Sequence, residues 1–201
     1  MILKKTKCTE DHLKEAAKKL FFVDGNLHAT TQEIADAAGV NRTLLNYYFR
    51  SRDELFRQVF IEARKTISDK LDELFGADLP FKEKVANFVD EFSEMVYQAP
   101  YSEIFLVSEI NDLNKPFPMS KNQDRKVYSF LEEIKLEMER GTIVKMEPLN
   151  FLMNMFALVS HPILMKPLYI SMYELGREDF ESLIKSRKKI ITELLLTQGC
   201  K

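Results

Sequence analysis

Four side chains able to make specific polar contacts fall within one short run, "NRTLLNYYF" (41–49): Arg42, Thr43, Asn46 and Tyr47. At about 100° per residue they share an arc of roughly 140° on a helix, with Leu44, Leu45, Tyr48 and Phe49 on the other side. A guanidinium can hydrogen-bond a guanine edge in bidentate fashion, and a carboxamide can do the same at adenine. Thr and Tyr hydroxyls suit phosphate oxygens, which fix register without reading sequence. Arg50 and Arg52 follow at the start of the next apolar run, where free backbone N–H groups also favour phosphate. Thr30, Thr31 and Asn41, at the starts of the two preceding helices, complete the candidate set. Such a face is either an ordinary solvated helix surface or a site for non-covalent recognition of double-stranded DNA.

The rest of the chain offers no competing chemistry. His12, His28 and His161 stand alone, and no Ser/His/Asp or Cys/His set or Gly-rich phosphate loop has recognisable spacing. Asp36 and Glu33 read as surface and capping residues, not as an acid pair. Cys8 and Cys200 lie near opposite termini, which predicts free thiols in a reducing cytoplasm. We therefore expect neither an enzyme nor a bound cofactor or metal. Net charge over the 201 residues is −2, so any nucleic-acid affinity must come from a local basic concentration. Between 42 and 57 four Arg face only Asp53 and Glu54, which supplies one. The N-terminus lacks the apolar stretch of a signal peptide. The most apolar region, 149–173, is interrupted by Asn154, His161, Pro162, Lys166 and Pro167, so no membrane partner is expected.

The elements that must position these residues read as helices throughout. Seven Pro and six Gly fall between periodic segments, and hydrophobic residues make up 45% of the chain, enough for a real core. Thr9 reads as the N-cap of a first helix ending at Asp24-Gly25-Asn26. Thr30 with Glu33 matches a capping box for the second helix, and Gly39 can take the left-handed conformation that closes it. Asn41 caps the third. Ser51 with Glu54 matches another capping box and opens a long fourth helix to about 75, stopped by Gly76. Further helices are expected from Pro80 to Pro100, over about 101–112, 120–140 and 147–162 (ended or kinked before Pro162), over 163–175, and over 177–198. Asn114–Pro118 reads as a loop. The fold class is all-α, and a helix, a tight Gly turn and a short helix make a helix-turn-helix.

Residues 10 to about 60 resemble the N-terminal domain of the tetracycline-repressor (TetR) family of bacterial transcription regulators. The resemblance rests on Leu20-Phe21, Gly25, Ala29-Thr30-Thr31, Ile34-Ala35, Ala37-Ala38, Gly39-Val40, Tyr48-Phe49 and the run Arg50-Ser51-Arg52-Asp53-Glu54-Leu55-Phe56. It departs at Thr43, where the family often has Gly, and at Asn46, where it usually has a phosphate-touching Tyr; Tyr47 stands next to that position. The resemblance implies a DNA-binding domain over 1–56 and a helical effector-binding and dimerisation domain over 57–201. It also implies a cytoplasmic, ligand-responsive repressor that acts as a homodimer on a palindromic operator. The alternative is a DNA-binding dimer whose second domain binds a protein partner or no ligand.

The second domain is rich in Phe and Met, which either fill a plain core or line an adaptable apolar cavity. A small apolar or amphipathic effector is the expected ligand, and Phe92, Phe105, Tyr128, Asn154 and Phe156 are its candidate contacts. Dimerisation is expected through the apolar stripes on 147–160 and 180–195. Lys4, Lys5 and Lys7 read as a mobile tail, with an arm that touches phosphate or a minor groove as the alternative.

Overall fold

A computed structural model describes residues 2–110 and 125–197, and every regular element among them is helical. In chain order these are α1 (Ile2–Lys18), α2 (Thr31–Ala37), α3 (Arg42–Phe49), α4 (Arg52–Gly76), α5 (Phe81–Gln98), α6 (Ser102–Ile110), α7 (Arg125–Arg140), α8 (Pro148–Leu164), α9 (Lys166–Tyr173) and α10 (Arg177–Leu195). The predicted Asn114–Pro118 loop, residues 120–124 and Cys200 lie outside the described residues, as do the side chains of Lys4, Lys5, Lys7 and Cys8. No single described helix is long and apolar enough to cross a membrane.

The described residues form two compact units. The first runs to Ile67 and takes in Ala99 and α6; the second runs from Ser68 to Gln98 and takes in α7 to α10. Each has its own core. In the first, Leu13, Ala17, Phe21 and Phe22 meet Ile34, Ala35, Leu45, Phe49, Phe56 and Phe60. Phe105 of α6 completes this core at 1% exposure. Its ring stacks on Phe21 at 5.3 Å and meets Phe22 edge-on at 5.1 Å. It also lies against Phe56 and Phe60. The Tyr101 N–H donates to the Phe22 carbonyl at 3.0 Å and anchors the start of α6. α6 therefore belongs physically with the helix-turn-helix, although it follows α5 in sequence. The bounds that the resemblance implies, 1–56 and 57–201, place α6 in the second domain.

Two local expectations differ from the structure. Helix α1 begins at Ile2, so Thr9 lies inside it, since nothing in 2–8 breaks a helix. Its C-terminal end widens into a π-helical turn over Lys19–Val23, closed by Asp24 N–H to Lys19 O at 3.0 Å, and buries both Phe21 and Phe22. Helix α8 passes through Pro162 to Leu164, and the bend of 56° toward α9 follows it, not the proline.

An ion-pair cluster ties α1 to α4. Glu62 accepts from Lys14 at 3.0 Å and from Lys18 at 2.9 Å, while Glu10 and Glu15 hold the same two lysines. Burial pushes the Glu62 carboxyl up, but the hydrogen bonds and charges of Lys18 and Lys14 outweigh it and hold it below the usual carboxylate range. A depressed folded-state value means stability that is present above the ordinary value of 4.5 and is lost as pH falls through the lowered one. Glu62→Gln is expected to remove part of the acid sensitivity of the first unit below about pH 4.5. Because Glu62 is more than a third exposed, the effect at neutral pH should not exceed about 1 kcal/mol. Thermal melts of both proteins from pH 3 to 7 check this, and parallel curves would remove the assignment.

In the second unit, α5 lays Phe81, Val85, Phe88, Val89, Phe92 and Val96 against α8 and α10. Phe75 of α4 stacks on Phe130 of α7 at 4.3 Å and on Phe88 at 5.5 Å. Phe88 and Phe92 stack on each other at 4.9 Å, and both meet Phe156 edge-on at 5.1 Å.

Candidate nucleic-acid interface

The recognition geometry is built by two caps and one tight turn. At α2, the Glu33 N–H donates to Thr30 Oγ1 at 3.2 Å, and the Thr30 N–H donates back to Glu33 Oε2 at 2.7 Å. These bonds from Thr30 backbone and hydroxyl hold the Glu33 carboxyl below its ordinary value. The α2 terminus closes with Gly39 at φ +65°, Val40 N–H to Ala35 O at 2.9 Å and Gly39 N–H to Asp36 O at 3.0 Å. This pair of hydrogen bonds is the glycine-terminated helix ending that a left-handed residue allows, and it reverses the chain into α3. Asn41 Oδ1 then accepts the Leu44 N–H at 2.8 Å and starts α3.

On α3, Leu45 and Phe49 are buried while Asn41, Arg42, Thr43, Asn46 and Tyr47 are exposed. Tyr47 is 75% exposed, its ring edge-on to Tyr48 at 5.4 Å. Arg42 has no ion pair with any described residue, so its guanidinium is available to an external acceptor. The apolar side locks α3 onto α1 and α2, and the exposed side is the one whose donors and acceptors suit base edges and phosphates. Arg50 ends α3 at φ +52°, with its N–H on Asn46 O at 2.9 Å. Its charge is exposed directly beyond α3.

The other candidates have different surroundings. Thr30 is occupied within its own cap, its hydroxyl both accepting from Glu33 N–H and donating to the carboxylate. Thr31, half-buried, is the first residue of α2, where free N–H groups cluster. The Arg52 side chain turns inward. Its Nε donates to Ala29 O at 3.0 Å, its Nη2 to Leu27 O at 3.3 Å, and its guanidinium lies 3.8 Å over the Phe56 ring. Sequence spacing gave no sign of this, because the two carbonyls lie more than twenty residues upstream. The second capping box is half formed: Ser51 Oγ accepts the Glu54 N–H at 3.2 Å, but the Glu54 carboxylate turns to Arg57 and Gln58. Those hydrogen bonds lower the Glu54 carboxyl to about 2.

The effector candidates do not come together. Phe92 and Phe156 touch within the second unit, whereas Phe105 fills the core of the first. Tyr128 is 63% exposed on α7. Asn154 lines an open groove of about 500 Å³ between α8 and α10, with Ala157, His161, Leu183, Arg187 and Ile190. Among the described residues, no cluster of His, Cys, Asp and Glu could hold a metal ion.

Known proteins agree with this geometry. The sequence pattern of the bacterial regulatory proteins of the tetR family matches residues 13–59, the stretch from Leu13 of α1 to Val59 of α4. The chain is 34% identical over 71 residues to the HTH-type transcriptional regulator YhgD of Bacillus subtilis (strain 168), covering 35% of this chain and 37% of that one. The alignment thus spans little more than a third of that relative. Across nearly the whole length, the fold is similar to a TetR family transcription regulator from Marinobacter aquaeolei VT8, with a TM-score of 0.63 at 14% identity over 96% of this chain and 98% of the other. It is also similar to the transcriptional regulator FadR from Bacillus subtilis in complex with stearoyl-CoA, with a TM-score of 0.56 at 15% identity over 94% and 98% of the two chains. The N-terminal helices thus match the pattern of the bacterial regulatory proteins of the tetR family, and the described helices as a set are similar in fold to solved TetR family regulators.

Proposed function

We propose that the protein is a transcriptional regulator that binds double-stranded DNA as a homodimer on a palindromic operator. The observation that carries this reading is the exposed face of α3, where Arg42, Thr43, Asn46 and Tyr47 stand free while Leu45 and Phe49 lock the helix in place. α3 enters the major groove, Arg42 and Asn46 read bases, and Thr31, Asn41, Thr43, Tyr47 and Arg50 hold phosphates. One eight-residue helix reads few base pairs, so two copies about 34–36 Å apart are needed for useful specificity.

Arg42→Ala and Asn46→Ala are each expected to weaken operator binding by about 1–3 kcal/mol while leaving non-specific binding nearly unchanged. Tyr47→Phe should weaken all sequences alike. Fluorescence-anisotropy titrations on operator and scrambled duplexes at several salt concentrations test this. Equal affinity of all variants for the operator would refute the assignment.

Dimerisation is supported by Leu149, Met153, Leu183, Ile190 and Leu194, each about half exposed on α8 and α10. Exposed apolar residues in such a stripe support an interface, and two such helix pairs can form a four-helix bundle.

An apolar or amphipathic effector that releases DNA is the remaining part of the reading. It is supported by the Phe-rich second unit and by the likeness of fold to FadR, which was solved with stearoyl-CoA. Because Phe88, Phe92 and Phe156 pack ring on ring, such a ligand must displace these rings to enter among them.

A further inference from the structure

The exposed face of α8 and α10 is not uniformly apolar, and its polar members are complementary in type. On α10 the stripe is Leu183, Arg187, Ile190 and Leu194, at spacings of four, three and four. On α8 the stripe is Asn150, Asn154, Ala157 and His161, with the same spacings, and among the described residues α8 carries no Asp, Glu, Lys or Arg. One helix thus presents a multiple hydrogen-bond donor, and the other presents side chains with acceptor atoms and no carboxylate.

Within one chain these groups do not satisfy each other. Arg187, Asn154 and His161 line the same groove, yet Arg187 makes no hydrogen bond or ion pair with any described residue. Its Nε is shielded from water and has no partner. The four Nη hydrogens are therefore the ones left to take an acceptor from outside. Asn154 Nδ2 approaches only Met146 Sδ, at 3.9 Å, and no described residue donates to its carbonyl oxygen.

Resting on the homodimer proposed above, we infer that Arg187 selects the partner: it donates across the two-fold to an acceptor on α8 of the second copy, the partner's Asn154 or the partner's His161. A two-fold axis makes such a contact twice, because each copy supplies one α8 and one α10. Ala157, between the two acceptors, leaves room for a long side chain. A buried polar contact within an otherwise apolar helical interface fixes register and excludes wrong partners, because any other alignment leaves the guanidinium facing hydrocarbon.

The test is a double-mutant cycle on the dimer dissociation constant, by sedimentation of the full chain, with Leu183→Lys as the control that breaks the interface. Arg187→Ala is expected to weaken the dimer at least tenfold. Adding Asn154→Ala or His161→Ala to Arg187→Ala should weaken it no further for the residue that accepts, and additively for the one that does not. Arg187→Met, which keeps the bulk, should dimerise within a few-fold of wild type but also lose the coupling to the acceptor, which a purely packing role would not predict. Circular dichroism melts confirm that each variant is folded. A wild-type dimer with Arg187→Ala unchanged, or with both double variants fully additive, overturns the inference and leaves the homodimer standing. A monomeric wild type overturns both.

Discussion

Phe105→Ala is expected to destabilise the first unit by about 3–5 kcal/mol, although residue 105 lies more than fifty positions beyond the helix-turn-helix. The side chain is 1% exposed and lies among four other rings. Truncation removes those contacts and leaves a cavity in a core that already spans α1, α3 and α4. The loss is a large fraction of the stability of a small domain. Phe105→Leu, which keeps most of the volume, should lose less than half as much. Urea unfolding followed by amide resonances of α1 to α3 checks the effect where it is expected. A loss below about 1 kcal/mol would mean that α6 is dispensable to the core described above.

Arg52→Ala is expected to destabilise the same unit by about 3 kcal/mol. Two charge-assisted hydrogen bonds to the Leu27 and Ala29 carbonyls are lost, each typically worth about 1.5–3 kcal/mol without being additive. The stacking over Phe56 at 3.8 Å adds about 0.5–2 kcal/mol. Arg52→Lys should recover little, because an ammonium cannot span two carbonyls and cover a ring at once. Denaturant melts give the stability. The salt dependence of DNA binding, taken where both proteins are folded, separates a second role: a slope lower by about one unit would give Arg52 a phosphate contact as well. An unchanged slope with lowered stability makes it a brace for the turn before α2.

These two residues also mark what a sequence can disclose. Thr30 with Glu33, Gly39 and Asn41 were legible because a cap or a left-handed turn is decided within four or five residues of chain. The polar face of α3 was legible for the same reason, since a helical period fixes which side chains share a side. Arg52 and Phe105 were not, because their partners are set by tertiary packing: two carbonyls upstream in one case, rings from two other segments in the other. The half-formed cap at Ser51 shows the competition on a small scale, as Arg57 and Gln58 draw Glu54 away from the backbone N–H it matched in pattern. The effector candidates suffered most. Abundant Phe and Met announce an apolar interior, but composition does not say which ring stands beside which, and the five chosen residues fall at four separate places.

The membership of α6 in the first core bears on how such chains can be recombined. A segment cut out after α4, or spliced onto the second unit of a relative, would leave behind the ring that covers Phe21, Phe22, Phe56 and Phe60. Those faces would meet water in an isolated fragment and a foreign α6 in a hybrid. On the DNA-binding reading proposed above, operator specificity is therefore better exchanged by replacing the exposed residues of α3 alone, or by moving α6 together with the first four helices. A graft that ignores this contact should yield an insoluble protein, not a retargeted one.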